Sequence, residues 1–575
     1  MPIHIYAEQG NIAKVQQEIA DGVDIDSSDN YESRTPLMFA VSSPHANIDM
    51  VRLLVENGAD VNAVDTYHNT VLALAVQSGN LEKIQFILDA GADINYQTPS
   101  GYDVLINAMY GRDITKDENL LAIIDLLITR GAKVTGVSDY GESALRWASR
   151  RGRFDAVKIL LDAGADPQQL EWTELIYAIV FGSLADVQRL IAQGANLSAI
   201  DGYGRTPWLF SLQVGDLAKA KLLLSSASND YEQTNCGRTP LMYAIENNRV
   251  EILKWLIEQG FDIEATDQFC TTPLMVAVEC DHPECVKILL EAGAKTDRKN
   301  SCDEKVIKQT NNIEIARMLL AVGEDINDVN DDMLRLLMGV SKNDILHISK
   351  SQYLAGKHRR FGTKNPELME VDFWKAMVST GFSGYKAQYT FNDTNDHQSQ
   401  PVWCFDRFGK TVTQLPDGKI VVIAGEHEDF YDPDFCIYND VIVAQGDGDL
   451  QIYGYSEDVF PPTDFHSATL VGEYIYIIGS LGYLDKRICD HTPVYRLHSE
   501  TFTIERVQTS GENPGWIHKH TACYEEPNKI SIIGGDIFAI VNQEQQYLAN
   551  ANNYTLDLKN FRWTRVISSD EVEYK

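Results

Sequence analysis

The sequence is short of positive charge: 49 lysines and arginines stand against 83 aspartates and glutamates, a formal net charge of −34 over 575 residues. The deficit runs through both halves, 27 against 47 in residues 1–325 and 22 against 36 in residues 326–575. A field of that sign repels phosphate backbones, which argues against nucleic acid as a partner and favours a basic protein or plain solubility. No uncharged apolar run approaches the roughly 20 residues that span a bilayer, so no membrane partner is expected. The opening residues, Met1-Pro2-Ile3-His4-Ile5-Tyr6-Ala7-Glu8, lack the basic and apolar stretches of a secretory signal, and a cytoplasmic location is the expectation. The nine cysteines are odd in number and lack the paired close spacing of a disulfide framework or zinc ribbon, as a reducing compartment allows. Cys280, His282, Cys285 and Cys302 could gather zinc by residue type, but Cys280 and Cys285 fall across a helix junction that a repeat already explains. Absent too are a phosphate-cradling glycine loop, a nucleophile elbow and any kinase or nuclease signature, so neither catalysis nor a cofactor is expected.

What the sequence holds in quantity is self-similarity. A small-residue turn recurs at Gly22, Gly58, Gly91, Gly131, Gly164, Gly194, Ser226, Gly260, Gly293 and Gly323, at gaps of 36, 33, 40, 33, 30, 32, 34, 33 and 30 residues. Ahead of several turns stand Thr35-Pro36-Leu37-Met38, Thr206-Pro207-Trp208-Leu209, Thr239-Pro240-Leu241-Met242 and Thr272-Pro273-Leu274-Met275. A threonine hydroxyl can cap the free amides of a first turn and proline tolerates the first helical position, so each quartet predicts a helix start. A second helix follows, with apolar residues at helical spacing such as Ile252, Leu253, Leu256 and Ile257, and glycine ends it in the left-handed conformation.

Spacing, quartets and turns such as Gly58-Ala59-Asp60-Val61-Asn62 together resemble the ankyrin repeat, whose period is about 33 residues. The resemblance implies an all-α solenoid of helix-turn-helix units with β-hairpin tips, about ten units over residues 1–325, stacked so that neighbours share one core. The end units, Ile3 to Asp26 and Cys302 to Asp325, lack the Thr-Pro start and read as solvent-facing caps. The 40-residue gap predicts a surface insertion at Gly111 to Glu118. Hairpin tips and inner helices form the contact surface in ankyrin proteins, and Tyr31, Tyr67, Tyr140, Tyr203 and Phe269 sit at or beside one register there, as candidate partner-binding residues. The neighbouring Asp65, Asp139, Asp201 and Asp267 are expected to organise the turns.

The register is lost over residues 326–379, expected to be a helical connector, whose one basic cluster is Lys357-His358-Arg359-Arg360. From 380 to 575 strands dominate: Ile420-Val421-Val422-Ile423-Ala424-Gly425, Ile475-Tyr476-Ile477-Ile478-Gly479-Ser480 and Ile530-Ser531-Ile532-Ile533-Gly534-Gly535 align 55 residues apart. With His466 and His520 at equivalent places and Trp563 in a closing hairpin, these segments resemble kelch blades, implying an all-β, partial or small β-propeller. Closed propellers need about four to eight blades, so three leave the domain open, completed by a degenerate fourth around Trp403, or completed by self-association with a second chain.

Oxygen and imidazole ligands cluster at His427, Glu428, Asp429 and Asp432, with His466 and His520 as further weak candidates for a divalent metal. The combination resembles bacterial ankyrin proteins with a kelch-like tail. The expected function is a non-enzymatic adaptor or inhibitor that grips a protein through the ankyrin concave surface, an immunity protein against a basic toxin being one form. Alternatives are a metal-dependent enzyme or small-molecule site in the kelch-like domain, and a scaffold that delivers a target to an effector.

Overall fold

A computed structural model of the chain describes residues 2–110, 119–226, 236–340, 346–393, 400–427 and 435–566. The chain divides into two compact units, Met1–Ala294 and Lys295–Lys575.

Among the described residues the first unit holds nine helix pairs, from Pro2–Glu8 with Ile12–Ala20 to Pro273–Glu279 with Pro283–Glu291, the fifth, sixth and seventh beginning at Ala144, Glu174 and Pro207. The threonine rule holds at every quartet: the hydroxyls of Thr35, Thr206, Thr239 and Thr272 accept from the amides of Met38, Leu209, Met242 and Met275. First helices such as Val71–Gln77 are buried along nearly their whole length, because a neighbouring pair lies on either side. Two buried lysines add a further tie. Lys83 Nζ donates to the carbonyls of Ala40 and Ser43 at 2.9 and 2.7 Å, satisfying the last turn of Pro36–Ser42, the first helix of the preceding pair. Lys219 does the same for Ile179 and Gly182 at 2.9 and 2.8 Å.

The stack is not uniform. At the 30-residue gap between Gly164 and Gly194 no hairpin forms; a 3₁₀ turn, Pro167–Leu170, takes its place and packs on the helix Ala144–Arg150. Glu174–Phe181 instead packs on Pro207–Val214, the helix after it. The fifth and seventh pairs then meet across the sixth. Arg205 donates to the Ser149 carbonyl and hydroxyl, both at 2.7 Å, Gln213 donates to the Arg150 carbonyl at 3.0 Å, and Phe154 packs on Phe210. In a regular solenoid each repeat touches its neighbours only. Here the fifth and seventh pairs are joined directly, at the place where the hairpin is missing.

In the second unit a tenth helix pair, Val306–Gln309 with Ile313–Ala321, precedes the helices Asp331–Leu337, Lys350–Gly356, Asp372–Thr380 and Gly384–Thr390. These are a packed layer: Met333, Leu334, Phe373, Trp374 and Met377 share a core with Val412, Ile420, Val422 and Ile442 of the first sheet. Trp403 stacks on Trp374 at 5.1 Å inside that layer, and among the described residues it starts no fourth four-stranded sheet.

Three antiparallel meanders follow. The first runs Thr411–Gln414, Ile420–Ile423, Val441–Ala444, Leu450–Gly454, with a short edge strand Glu367–Leu368. The second runs Ser467–Val471, Tyr474–Ile478, Val494–His498, Ile504–Arg506. The third runs Thr521–Glu525, Lys529–Ile533, Asn553–Asp557, Arg562–Val566, with Ser510–Gly511 parallel at its edge. The sheets are open and lie face to face. Val421, Ile423, Val441 and Val443 of the first meet Ile475, Ile477 and Leu497 of the second. The second's other face, with Tyr476 and Ile478, meets Ile530, Ile532 and Leu556 of the third. The sharp end of the third aligned strand requires glycine, since Gly535 has φ of +83° and a Cβ there would sit 2.6 Å from the His518 carbonyl oxygen. A hairpin, Asp536–Val541 with Glu544–Ala549, pairs through its first strand with Trp516–His518.

Candidate functional site

The hairpin tips owe their shape to aspartate. Asp65 Oδ1 accepts from the amides of Tyr67 and Asn69 at 2.9 and 2.8 Å, and Asp201 and Asp267 repeat the arrangement under Tyr203 and Phe269. Asp139 does not: the residue before it, Ser138, accepts from the Glu142 amide at 3.1 Å and fills the role in that tip. Each tip is thus pinned from below, so the aromatic beside it projects from a fixed turn.

Four of the five aromatics are open to solvent, Tyr31 at 91%, Tyr67 at 64%, Tyr140 at 75% and Phe269 at 55%. Tyr203 is half-buried instead. It lies over the helix Ala144–Arg150, where the guanidiniums of Arg146 and Arg150 each lie 5.4 Å from its ring centre and Arg205 lies at 5.5 Å. Arg150 and Arg151 also flank Trp147, at 5.0 and 5.7 Å. Trp147 continues into Tyr110 at 4.8 Å, Tyr110 into Tyr102 at 5.9 Å, and Tyr102 into Tyr140 at 6.4 Å. Glu142 accepts from both phenols, at 2.5 Å from Tyr102 and 3.2 Å from Tyr110. The hydrogen bond to Glu142 holds Tyr102, and burial followed by the bond to Tyr102 and the Glu142 charge holds Tyr110, protonated above the usual phenol range. Sequence reading missed this aromatic and guanidinium surface; the signal for it was Arg146-Trp147-Ala148-Ser149-Arg150-Arg151. The predicted insertion, residues 111–118, lies outside the described residues.

In the second unit His466 and His520 do a repeated structural job. His466 Nε2 shares a 2.7 Å hydrogen bond with Thr411 Oγ1, and His520 Nε2 shares one of 2.8 Å with Ser467 Oγ, each linking the loop before one sheet to the first strand of the sheet before. Burial holds His466 down to about 3 and His520 to about 4, so both are neutral. His427 Nδ1 lies 3.1 Å from the Asp406 carbonyl oxygen. Glu428, Asp429 and Asp432 lie outside the described residues, and among those described no three metal-ligating side chains gather. The basic cluster is tied inward: Lys357 pairs with Asp393 at 2.7 Å, and Arg359 bonds the Ile437 carbonyl. No helix among the described residues is long and apolar enough to cross a membrane.

Sequence comparison agrees with the architecture of the first unit. The family profile described as ankyrin repeats (3 copies) matches residues 3–98, 113–201, 175–267 and 208–300. Ankyrin repeat protein nuc-2 of Neurospora crassa is 26% identical over 205 residues, 35% of this chain and 18% of its own length. The B-cell lymphoma 3 protein homolog of Mus musculus is 30% identical over 207 residues, 34% of this chain and 37% of its own. Inversin of Mus musculus is 29% identical over 238 residues, 35% of this chain and 22% of its own. The chain therefore spans well under half the length of these relatives. Capped helix pairs, aspartate-pinned tips and the profile match agree that the N-terminal half of this chain is an array of ankyrin repeats.

Proposed function

We propose that the chain is a non-enzymatic adaptor or inhibitor that holds a protein partner against the hairpin tips and first helices of the ankyrin array. The observation that carries this reading is the set of large aromatics exposed on pinned turns, Tyr31, Tyr67, Tyr140 and Phe269. An aromatic on a rigid turn offers wide contact area and loses little entropy when covered, which is the make-up of an interface anchor. Neutralisation of a basic toxin is one form of this function, drawing on the net charge of −34 to speed capture. The three meander sheets described in the second unit read as kelch-like blades of an open stack, supported by the repeated hydroxyl-to-histidine bond between successive sheets.

The test is cross-linking and co-purification of the full chain from its native cell beside a Tyr67→Ala/Tyr140→Ala variant. A protein retained by the parent chain and at least tenfold depleted with the variant supports the reading. Equal retention by both, or no retained protein, overturns it.

A further inference from the structure

Of the nine first helices among the described residues of the first unit, Ala144–Arg150 alone contains a lysine or arginine. It carries Arg146 and Arg150, and Arg151 is its C-cap. In a chain with 34 more acids than bases, this concentration of guanidinium on the binding face runs against the global charge. The contacts it makes are equally particular. Arg150 and Arg151 are exposed, and among the described residues neither pairs with a carboxylate; each lies against an aromatic ring, Arg150 on Trp147 and Tyr203, Arg151 on Trp147. Arg146 shares Tyr203 and reaches only as far as 3.6 Å from Glu171, itself half exposed. The nearby Glu246 is paired with Arg238, and Arg151 and Arg150 lie within reach of its charge without bonding it.

A guanidinium stacked by its face keeps its N–H donors in plane, and these fit a carboxylate bidentately. Stacking also limits side-chain freedom before any ligand arrives, so less is lost on binding. The base beneath is stiff: Arg205, buried with Asp201, ties Ser149 of this helix to the seventh pair, and Gln213 holds the Arg150 carbonyl. We infer that Arg146, Arg150 and Arg151, backed by the half-buried Tyr203 and the buried Trp147, are the docking site for an acidic segment of the protein partner, aspartate- or glutamate-rich with an adjoining apolar side chain for the exposed ring of Tyr110. The inference rests on the reading of the array as a protein-binding face and adds the chemistry of what is bound. A nucleic acid strand fits less well, since a long polyanion would run off three arginines onto a strongly acidic surface.

The probe is a displayed library of random 12-residue peptides, selected against the full chain and against an Arg150→Ala/Arg151→Ala variant. Both positions are exposed, and circular dichroism and thermal melts of the variant check that its fold is kept. Selected peptides are expected to be enriched in Asp and Glu beside an aromatic or aliphatic residue. Their affinity should fall at least tenfold in the alanine variant, less in Arg150→Lys/Arg151→Lys, and fall with added salt. Neutral or basic selected peptides, acidic ones unaffected by the alanine variant, or no enrichment overturn the inference. So does a single-stranded 12-nucleotide DNA that binds more tightly than the selected peptide and is lost with the same variant. A partner that co-purifies in a Tyr67- and Tyr140-dependent way yet is indifferent to Arg150 and Arg151 overturns only this inference, and leaves the adaptor reading standing.

Discussion

Arg205 and Ser149 are 56 residues apart, and the guanidinium of the first donates to both the carbonyl and the hydroxyl of the second at 2.7 Å. Arg205 is also paired with Asp201 at 2.6 Å, and both side chains are 1% exposed. Breaking a buried pair by removing one partner leaves an uncompensated charge, so Arg205→Met should cost about 3–5 kcal/mol. Arg205→Met/Asp201→Asn should recover part of that loss. Urea unfolding followed by tryptophan fluorescence measures both; equal stability of the single and double variants would contradict the pairing.

Lys83 and Lys219 occupy matching places and satisfy helix-end carbonyls of the pair before them. Replacing either by methionine keeps the apolar stem and strands those acceptors, at about 1–3 kcal/mol each. Denaturation midpoints of the two single variants should shift by similar amounts. A silent Lys83→Met would refute the helix-end role.

The aspartates of the tips separate by one atom-level criterion, whether the carboxylate accepts from its own turn. Asp65→Ala removes two amide partners and should lower stability by about 1–2 kcal/mol. Asp139→Ala should stay within about 0.5 kcal/mol of the parent, because Ser138 holds that tip. Chemical denaturation of the pair, side by side, decides it.

Acid should loosen the second unit. His466 and His520 remain neutral when folded, at about 3 and about 4, against an ordinary 6.5. As pH falls below 6.5 the unfolded chain takes up these protons and the folded chain does not. Stability is therefore full above that pH and declines from it down to about 4, by up to roughly 1.4 kcal/mol per pH unit for each histidine. Calorimetry between pH 7 and 4 should show this slope, and His466→Gln/His520→Gln should flatten it.

The helix pairs were legible because they are encoded locally: a capping threonine, a proline after it and a glycine one period on suffice, and Thr35, Thr206, Thr239 and Thr272 behave alike. The contact between the fifth and seventh pairs was not legible, since the clasp that makes it joins Arg205 to Ser149 through space. The Asp139 expectation failed for a similar reason; a one-residue shift of register moved the acceptor to Ser138. In the second unit the three aligned strands were readable from period-two runs of isoleucine and valine. The protruding hairpin Asp536–Val541 with Glu544–Ala549 was not, because Glu544-Gln545-Gln546 reads as loop until its pairing partner is known. Among the candidate site residues, Tyr31, Tyr67, Tyr140 and Phe269 were found by position, while Trp147 and its arginines lay inside a helix already assigned to the core.

A row of repeats joined only to nearest neighbours behaves as a one-dimensional chain, which frays from its ends and yields unit by unit under load. The clasp between the fifth and seventh pairs closes a loop in that chain. Pulled from its termini, the array should give up its outer repeats singly and then release the fifth, sixth and seventh together, as a single large step at higher force.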